Sequence, residues 1–252
     1  MRKLHIPGRS NVLGLNGMAS TSQPLSTLEA ISILKKGGNA VDAAIAASAV
    51  QAVIEPNSTS IGGDCFALLS LNGKEPISVN GSGIAPEKNN IDFFENNKIS
   101  KINPQSPHSV TIPGALHAWN SMHKKFGKLD FSELFISAEN YARNGFPIHE
   151  VVAKAWKENL NKLKQQPTTS SIYLKNNKPY SFGERHQNIS LANTLKTISK
   201  NGIKDFYEGY IANDIVKTLN NAGGLHSMED FAKQNTIFSD SLSKNYKDIK
   251  LH

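Results

Sequence analysis

The run Ala40–Ile54 constrains the fold more than any other part of this sequence. It is apolar all round when it is drawn as a helix, and Asp42 is its only charged residue. A helix without a polar face is stable only when other elements surround it. The run is also shorter than the roughly 20 residues that a helix needs to cross a bilayer. The sequence therefore predicts a helix buried at the centre of a globular domain.

The residues before this run predict a second helix packed beside it. Pro24 suits the first turn of a helix, where its missing N–H would have no partner, and apolar residues recur at helical spacing over residues 25–36. Gly37 and Gly38 supply a helix end, and Asn39 can accept hydrogen bonds from the first N–H groups of the next helix. We therefore expect a helical hairpin that turns at this glycine pair.

Strands are predicted in two places. Residues 66–71 and 76–79 have the composition of two strands, and Asn72 and Gly73 between them predict a hairpin turn. A weak further strand is expected to begin near Thr236. The order is therefore a helical hairpin, then strands, then a helix-rich half, which does not match a series of βαβ units.

The remaining segments are helical or loop-like. Residues 85–107 are predicted to form a loop with a short helix, and residues 165–178 to form a linker rich in Pro, Thr, Ser, Asn and Lys. Further helices are expected near residues 113–126, 131–143, 149–164, 190–200 and 210–221. The sequence as a whole therefore predicts the α+β class.

Composition excludes several classes of function. Apolar residues make up 38% of the 252 residues and charged residues 19%, which is ordinary for a soluble globular protein. The net charge is +7, but the lysines are spread along the chain and arginines are few, so no nucleic-acid partner is expected. Cys65 is the only cysteine, which excludes an internal disulfide and a cysteine-based metal or redox site.

The first residues bear on location. Residues 1–8 are basic, but no apolar run follows them, so no signal peptide is predicted. The most apolar run, Ala40–Ile54, is too short for a bilayer span. We therefore expect a cytoplasmic protein without a membrane partner.

A series of short motifs, taken in order, goes further than periodicity. They are residues 16–25 (NGMASTSQPL), 37–44 (GGNAVDAA), 55–56 (EP) with 61–63 (IGG), 112–115 (IPGA) with Trp119, 126–129 (FGKL), 142–146 (ARNGF), 206–209 (FYEG), and 223–225 (GGL) with Glu229 and Asp230. In this order and spacing they resemble the gamma-glutamyltranspeptidase family. The resemblance extends from about residue 9 to about residue 250.

The resemblance implies an N-terminal nucleophile hydrolase architecture, an αββα sandwich of two sheets between helix layers. Members cut themselves, and the new N-terminal threonine of the second piece is the nucleophile, with its own α-amine as base. The acyl group, usually a gamma-glutamyl group, passes to water or to an amino acid without a metal or organic cofactor. Residues 1–252 correspond to the N-terminal, large-subunit portion. The second sheet and the nucleophile are therefore expected on a small-subunit partner, and the fold of this chain is expected to be incomplete.

The chain offers no residue that matches the family's nucleophile. That threonine lies in a Thr-Thr-His-type motif, and none of the eight histidines here follows a Thr-Thr pair. Thr168 and Thr169 lie in the predicted linker, and residues 58–60 precede a structural glycine turn, so neither is assigned a catalytic role. We expect the isolated chain to be inactive and marginally stable. Two hypotheses stay open: the chain is one component of an enzyme, or it is a non-enzymatic remnant that folds poorly or serves only as a binding surface.

The candidate substrate-binding residues lie in the run 81–86 (GSGIAP). Gamma-glutamyl-specific members place an arginine where this chain has Ser82, and a related subgroup places one where it has Ile84. Gly81, Ser82 and Ile84 are therefore the candidates by resemblance. Because Ile84 cannot pair with a carboxylate, the substrate could be another amide. Arg9 is an alternative cation.

Other residues invite weaker interpretations. His117 and His123 are six residues apart on one predicted helix and point to different sides, so no metal pair is expected. Trp119 and Trp156 fall on helical patterns and are predicted to lie in the core. Residues 184–186 (ERH) are predicted to form a solvated turn.

Overall fold

In the computed structural model, residues 12–252 are described, so the suggested role of Arg9 lies outside the described residues. The helices of this part are α1 (Pro24–Lys35), α2 (Ala40–Ile54), α3 (Ile91–Asn96), α4 (Ala115–Phe126), α5 (Ile136–Asn144), α6 (Glu150–Glu158), α7 (Leu160–Leu163), α8 (Pro167–Tyr173), α9 (Ile189–Asn201), α10 (Lys204–Tyr207), α11 (Tyr210–Asn221) and α12 (Met228–Ala232). Its strands are β1 (Cys65–Leu69), β2 (Ile77–Gly81), β3 (Phe146–Pro147), β4 (Leu174–Lys175), β5 (Lys178–Pro179), β6 (Arg185–His186), β7 (Ile237–Asp240), β8 (Lys244–Tyr246) and β9 (Ile249–Leu251). Two 3-10 helices lie at Pro107–Ser109 and Phe131–Phe135.

The predicted helical hairpin forms as the sequence indicates. Gly37 adopts a φ of +95°, a left-handed conformation that favours glycine, and the Gly38 N–H donates to the Ile33 carbonyl (3.0 Å). The Asn39 side chain accepts from the N–H groups of Val41 and Asp42, and the Asp42 carboxylate accepts from the Asn39 N–H (3.0 Å). The glycine pair thus ends α1 at Lys35, and the reciprocal cap of Asn39 and Asp42 begins α2 at Ala40.

Helix α2 lies at the centre of the helical layer, which confirms its predicted burial. Eleven of its residues are buried, and it packs against α1, α5 and α4. Its alanines let these neighbours approach closely. Buried Asp42 accepts hydrogen bonds from the N–H groups of Lys128 and Leu129 (3.1 and 3.2 Å), so the carboxylate also fixes the loop that follows α4. A buried carboxylate with several main-chain donors is well compensated for the loss of water.

Strands β1, β2 and β7 form an antiparallel sheet with β2 in the middle. The predicted hairpin is confirmed, since Asn72 and Gly73 both have positive φ between β1 and β2. One face of the sheet carries Val79 and packs on α4. The other face carries Phe66 and Ile237, whose side chains are 67% and 58% exposed. Among the described residues, helices therefore cover this sheet on one face.

Three predictions about the helical half need correction. Residues 165–178, predicted as a linker, contain α8 and the short ribbon of β4 and β5, because Pro167 begins a helix whose Tyr173 packs on Trp156. The helix predicted over residues 149–164 ends at Glu158 and resumes as α7. The predicted helix near residues 131–143 begins as the 3-10 helix Phe131–Phe135.

The predicted solvated turn at residues 184–186 is also wrong. His186 is buried on β6, and rings of Phe146, Trp156, Tyr173 and Tyr180 surround it with centroids 5.0–5.9 Å away. Burial lowers the pKa of His186 to about 4. Trp119 and Trp156 are both buried, as predicted.

The α+β class is confirmed, with helices packed on a small antiparallel sheet. No helix in residues 12–252 combines the length and apolarity that a bilayer span requires. The cytoplasmic location stays a prediction.

Candidate functional site

Residues 81–86, called here the Gly81 loop, leave the end of the central strand β2. Glycine is required twice in this loop because the main chain passes very close to its neighbours. A Cβ atom on Gly81 would overlap the side chain of Ala118 on α4, and one on Gly83 would overlap the Ile112 carbonyl. The loop is therefore held against the start of α4 rather than free in solvent.

Three consecutive N–H groups of the Gly81 loop are hydrogen-bonded to side chains. The Ser82 N–H donates to Asn80 Oδ1 (2.9 Å) and the Gly83 N–H to Asp64 Oδ1 (2.9 Å). The Ile84 N–H donates to Gln234 Oε1 (3.1 Å). These acceptors come from three separate segments of the chain, so tertiary packing sets the loop's conformation.

Gln234 binds the main chain of the loop on both sides of Gly83. Its Nε2 donates to the Ser82 carbonyl (3.1 Å) and to the Asn235 carbonyl (3.0 Å), while its Oε1 accepts from Ile84. The residue is only 5% exposed. Sequence reasoning did not select Gln234, and nothing in its neighbouring residues signals a partner 150 positions away. On the far side of the loop, the Ile112 N–H donates to the Ile84 carbonyl (2.9 Å).

The end of the Gly81 loop is fixed by a second acidic residue. The Glu87 N–H donates to Asp230 Oδ1 (3.0 Å), and Asp230 Oδ2 accepts from the N–H and hydroxyl of Ser227. Burial acts to raise the pKa of Asp230, but these hydrogen bonds from Glu87 and Ser227 bring it below its ordinary value. Glu87 in turn forms an ion pair with Lys233 (2.6 Å) at the surface.

Two of the sequence motifs meet at this loop. The Gly63 carbonyl accepts from the N–H groups of Gly114 and Ala115 (2.9 and 2.8 Å), which joins the IGG turn to the start of α4. Gly114 lies so close to the Gly81 carbonyl that a Cβ atom would overlap it. The glycines at 63, 81, 83 and 114 are therefore far apart in sequence but form one tightly packed junction.

The structure brings all three predicted substrate-binding residues into this loop. Gly81 is buried, Ser82 is half-buried, and the Ile84 side chain is 36% exposed. Ser82 and Ile84 are thus accessible to a bound molecule. Their role in substrate binding stays a prediction.

The other candidate residues lie elsewhere. Thr168 and Thr169 belong to α8, which packs on α7 and β4, and Ser58 follows the end of α2 in a turn. Cys65 begins β1 half-buried, and burial raises the pKa of its thiol.

His117 and His123 on α4 have separate hydrogen-bond partners. His117 Nδ1 contacts Thr236 Oγ1 (2.7 Å), and His123 Nε2 contacts the Leu129 carbonyl (2.7 Å). Burial, with a smaller contribution from Lys124, lowers the pKa of His117. Both histidines act in packing contacts of α4.

A protein-family model described as gamma-glutamyltranspeptidase matches residues 26–252. The chain belongs to this family. The match includes the helical hairpin, the Gly81 loop and the Gln234 segment. The resemblance found in the sequence motifs is therefore confirmed.

Curated relatives agree with this assignment. The chain is 32% identical over 248 residues to glutathione hydrolase proenzyme 2 of Schizosaccharomyces pombe, covering 97% of this chain and 40% of the relative. It is 30% identical over 243 residues to the glutathione hydrolase-like YwrD proenzyme of Bacillus subtilis, covering 96% of this chain and 46% of the relative. It is 35% identical over 199 residues to the capsule biosynthesis protein CapD proenzyme of Bacillus anthracis, covering 79% and 34%. The chain thus spans less than half the length of these relatives.

Solved structures define the architecture. The cephalosporin acylase of Bacillus halodurans superposes with a TM-score of 0.91 at 32% identity, covering 97% of this chain and 47% of that one. The gamma-glutamyltranspeptidase of Helicobacter pylori superposes with a TM-score of 0.90 at 28% identity, covering 96% and 70%. The fold is therefore that of the N-terminal nucleophile hydrolases, in the part that this chain spans.

Proposed function

We propose that this chain acts as the large-subunit half of a gamma-glutamyltransferase-like amide hydrolase. A second, nucleophile-bearing half supplies the threonine, and the 252 residues alone are inactive. The complete enzyme transfers an acyl group from a gamma-glutamyl or related amide to water or to an amino acid. Family membership and the names of the relatives support this class of reaction.

The observation that carries the proposal is the exposed face of the three-stranded sheet. Strand register places Phe66, Asn80 and Ile237 in one row on this face, with the side chain of Leu68 two residues further along β1. Phe66, Leu68 and Ile237 are all more than half exposed. These apolar side chains lie on the two outer strands, with Asn80 between Phe66 and Ile237. Large apolar side chains exposed on one sheet face are typical of a surface that another layer covers.

The position of this face relates it to the candidate site. The Gly81 loop leaves the central strand of the sheet, so a layer that covers the exposed face also reaches the loop. A nucleophile carried by that layer would then stand beside Ser82 and Ile84. This chain would form one wall of the substrate pocket, and its partner would perform the chemistry.

The reaction divides between the two halves. The threonine oxygen attacks the amide carbonyl while the α-amine of the same residue takes its proton, and the amine product leaves as an acyl-enzyme ester forms. Water or an amino acid then releases the acyl group. The Gly81 loop holds the acyl donor in the correct orientation, which raises the rate by making the attack effectively intramolecular.

A second candidate, a related amide hydrolase with a substrate other than a gamma-glutamyl amide, rests on Ile84. The side chain is aliphatic and accessible, so it offers contact to an uncharged group. Relatives named for capsule biosynthesis and cephalosporin acylase activity show that members of the family are not all glutathione hydrolases.

The proposal is tested by mixing the purified chain with the separately expressed nucleophile-bearing half of the Bacillus halodurans relative. Release of nitroaniline from gamma-glutamyl-p-nitroanilide and from a simple acyl-p-nitroanilide is then followed. We expect turnover by the mixture and none by either piece alone. The matched control uses the same half with its N-terminal threonine replaced by alanine. Turnover by the 252-residue chain alone, or failure of the two halves to associate, would contradict the proposal.

A further inference from the structure

The hydrogen bonds of the Gly81 loop bear on the kind of substrate that it can meet. We infer that the end of the substrate that contacts this loop carries no negative charge. The inference rests on the proposed function, since it assigns the substrate class of the same site. It follows from which N–H groups of the loop are already hydrogen-bonded within the protein.

Main-chain N–H groups could bind a carboxylate in place of an arginine. Consecutive N–H groups in a turn form a concave anion site when they are free and point the same way. Here the N–H groups of Ser82, Gly83 and Ile84 are all used by side-chain acceptors, Asn80, Asp64 and Gln234. A substrate carboxylate would have to displace one of these acceptors.

Displacing the Gln234 acceptor is unfavourable because the residue is buried and held by its other two hydrogen bonds. Its Nε2 is bound to the Ser82 and Asn235 carbonyls, so its Oε1 cannot move away without breaking these contacts. Leaving a buried amide oxygen without a donor is costly. The Ile84 N–H is therefore withheld from ligands.

Charges around the loop also disfavour an anion. The exposed Asp64 carboxylate lies against Gly83, while Asp230 and Glu87 lie at the far end of the loop. Among the described residues, Lys233 is the one cation that contacts these three carboxylates, and it forms an ion pair with Glu87 (2.6 Å). The local charge is thus negative, which repels a carboxylate and favours a neutral or cationic group.

The Ile84 side chain also favours a substrate group without negative charge. Its accessible aliphatic side chain stands where a related subgroup carries an arginine, and it offers only apolar contact. A substrate with an amide, an ammonium or a plain acyl chain at this position keeps all the loop's hydrogen bonds. A substrate with a free carboxylate there loses its own hydration and gains no partner.

The first test uses the two-piece enzyme and a matched pair of substrates, gamma-glutamyl-p-nitroanilide and its α-carboxamide, which differ only at the α-carboxyl group, charged in the first and neutral in the second. We expect kcat/KM for the carboxamide to be higher by about fivefold or more, the effect of roughly 1 kcal/mol of charge repulsion. Ile84→Arg should reverse the preference, whereas Ile84→Gln, which is polar but uncharged, should keep it. Equal rates or a preference for the acid in the unchanged chain would overturn the inference.

The second test does not depend on catalysis. Amide hydrogen exchange of Ser82, Gly83 and Ile84 is measured in the 252-residue chain, with and without added glutarate as a dicarboxylate probe. We expect slow exchange at all three positions and no effect of glutarate. Gln234→Met should speed exchange at Ile84 by about fivefold, the loss of one hydrogen bond of about 1 kcal/mol.

Gln187→Met serves as the matched control, since Gln187 also donates to a carbonyl but lies exposed on a different segment. It should leave exchange at Ile84 unchanged. Exchange at the three amides as fast as in an unfolded chain, or slower exchange when glutarate is added, would overturn the inference. If no mixture of the two halves shows turnover, the proposed function fails, yet the exchange result still decides whether the loop has donors free for an anion.

Discussion

Helix α2 and strand β1 are both rich in apolar residues, but their surroundings differ. Helix α2 is enclosed by α1, α4 and α5, and Ile45 at its centre is buried. Strand β1 has one face against α4 and an edge without a partner strand among the described residues, and Phe66 projects into solvent. The helical layer is closed within this chain, whereas the sheet is covered on one side.

Because of this difference, we expect buried residues to determine the folding stability of the chain and exposed residues to determine its association with the second half. Apolar side chains that are already buried contribute to the free energy of unfolding of the chain itself. Apolar side chains that remain exposed contribute little until another surface covers them. Substitutions in α2 should therefore act on folding, and substitutions on the outer face of the sheet should act on binding of the second half.

The largest effect is expected inside the helical layer. Ile45→Ala should lower the free energy of unfolding by about 3 kcal/mol, because it removes buried methyl groups and leaves a cavity. Urea denaturation followed by circular dichroism measures the loss. Leu28→Ala, which removes a similar group from an exposed site on α1, is the matched control and should have a much smaller effect. Equal losses for the two variants would mean that α2 is not the closed centre of the fold.

A pH dependence of the free energy of unfolding, of intermediate size, is expected from His186, which is buried like the residues of α2. Its pKa of about 4 in the folded chain is below its ordinary value of 6.5, so the unfolded chain binds more protons between these values. The full stability contribution is present above pH 6.5 and is lost as the pH falls towards 4. We expect a loss of about 2 kcal/mol between pH 7 and pH 4.5, measured by urea denaturation.

His186→Phe isolates this contribution from the general effect of acid on carboxylates. The His186 Nδ1 has no hydrogen-bond partner among residues 12–252. The neighbouring Trp156 and Tyr180 rings, both with centroids 5.0 Å away, would pack against phenylalanine as well. The variant should be less sensitive to pH over the same range. An unchanged pH profile would show that His186 does not titrate in this window.

The smallest effect on folding is expected on the outer face of the sheet. Phe66→Ala should change the free energy of unfolding of the chain by less than about 0.5 kcal/mol, as is usual for exposed positions. It should nevertheless weaken association with the nucleophile-bearing half, measured by titration calorimetry. Phe238→Ala is the counterpart on the inner face, where the ring packs against Phe126 and Lys125, and it should reduce folding stability instead.

The sequence by itself determined the helical hairpin, the α+β class and the family. Each depends on local signals. Gly37 tolerates a positive φ, and Asn39 caps the following helix. Helix α2 has apolar residues on all its faces, which indicates that it is buried. Such signals act within a few residues, so they can be read without knowing the rest of the fold. They also identified Gly81, Ser82 and Ile84 as a connected candidate group, because those residues are adjacent in the chain.

Only the tertiary structure decided which partners hold these residues. Gln234 contacts the Gly81 loop across 150 positions, His186 is buried by rings from four other segments, and α8 forms in a segment whose composition predicted a linker. A polar residue such as glutamine has no sequence pattern that distinguishes a buried hydrogen-bond partner from a solvated one. Its role depends on long-range packing, which places a donor and an acceptor opposite each other and removes the water between them.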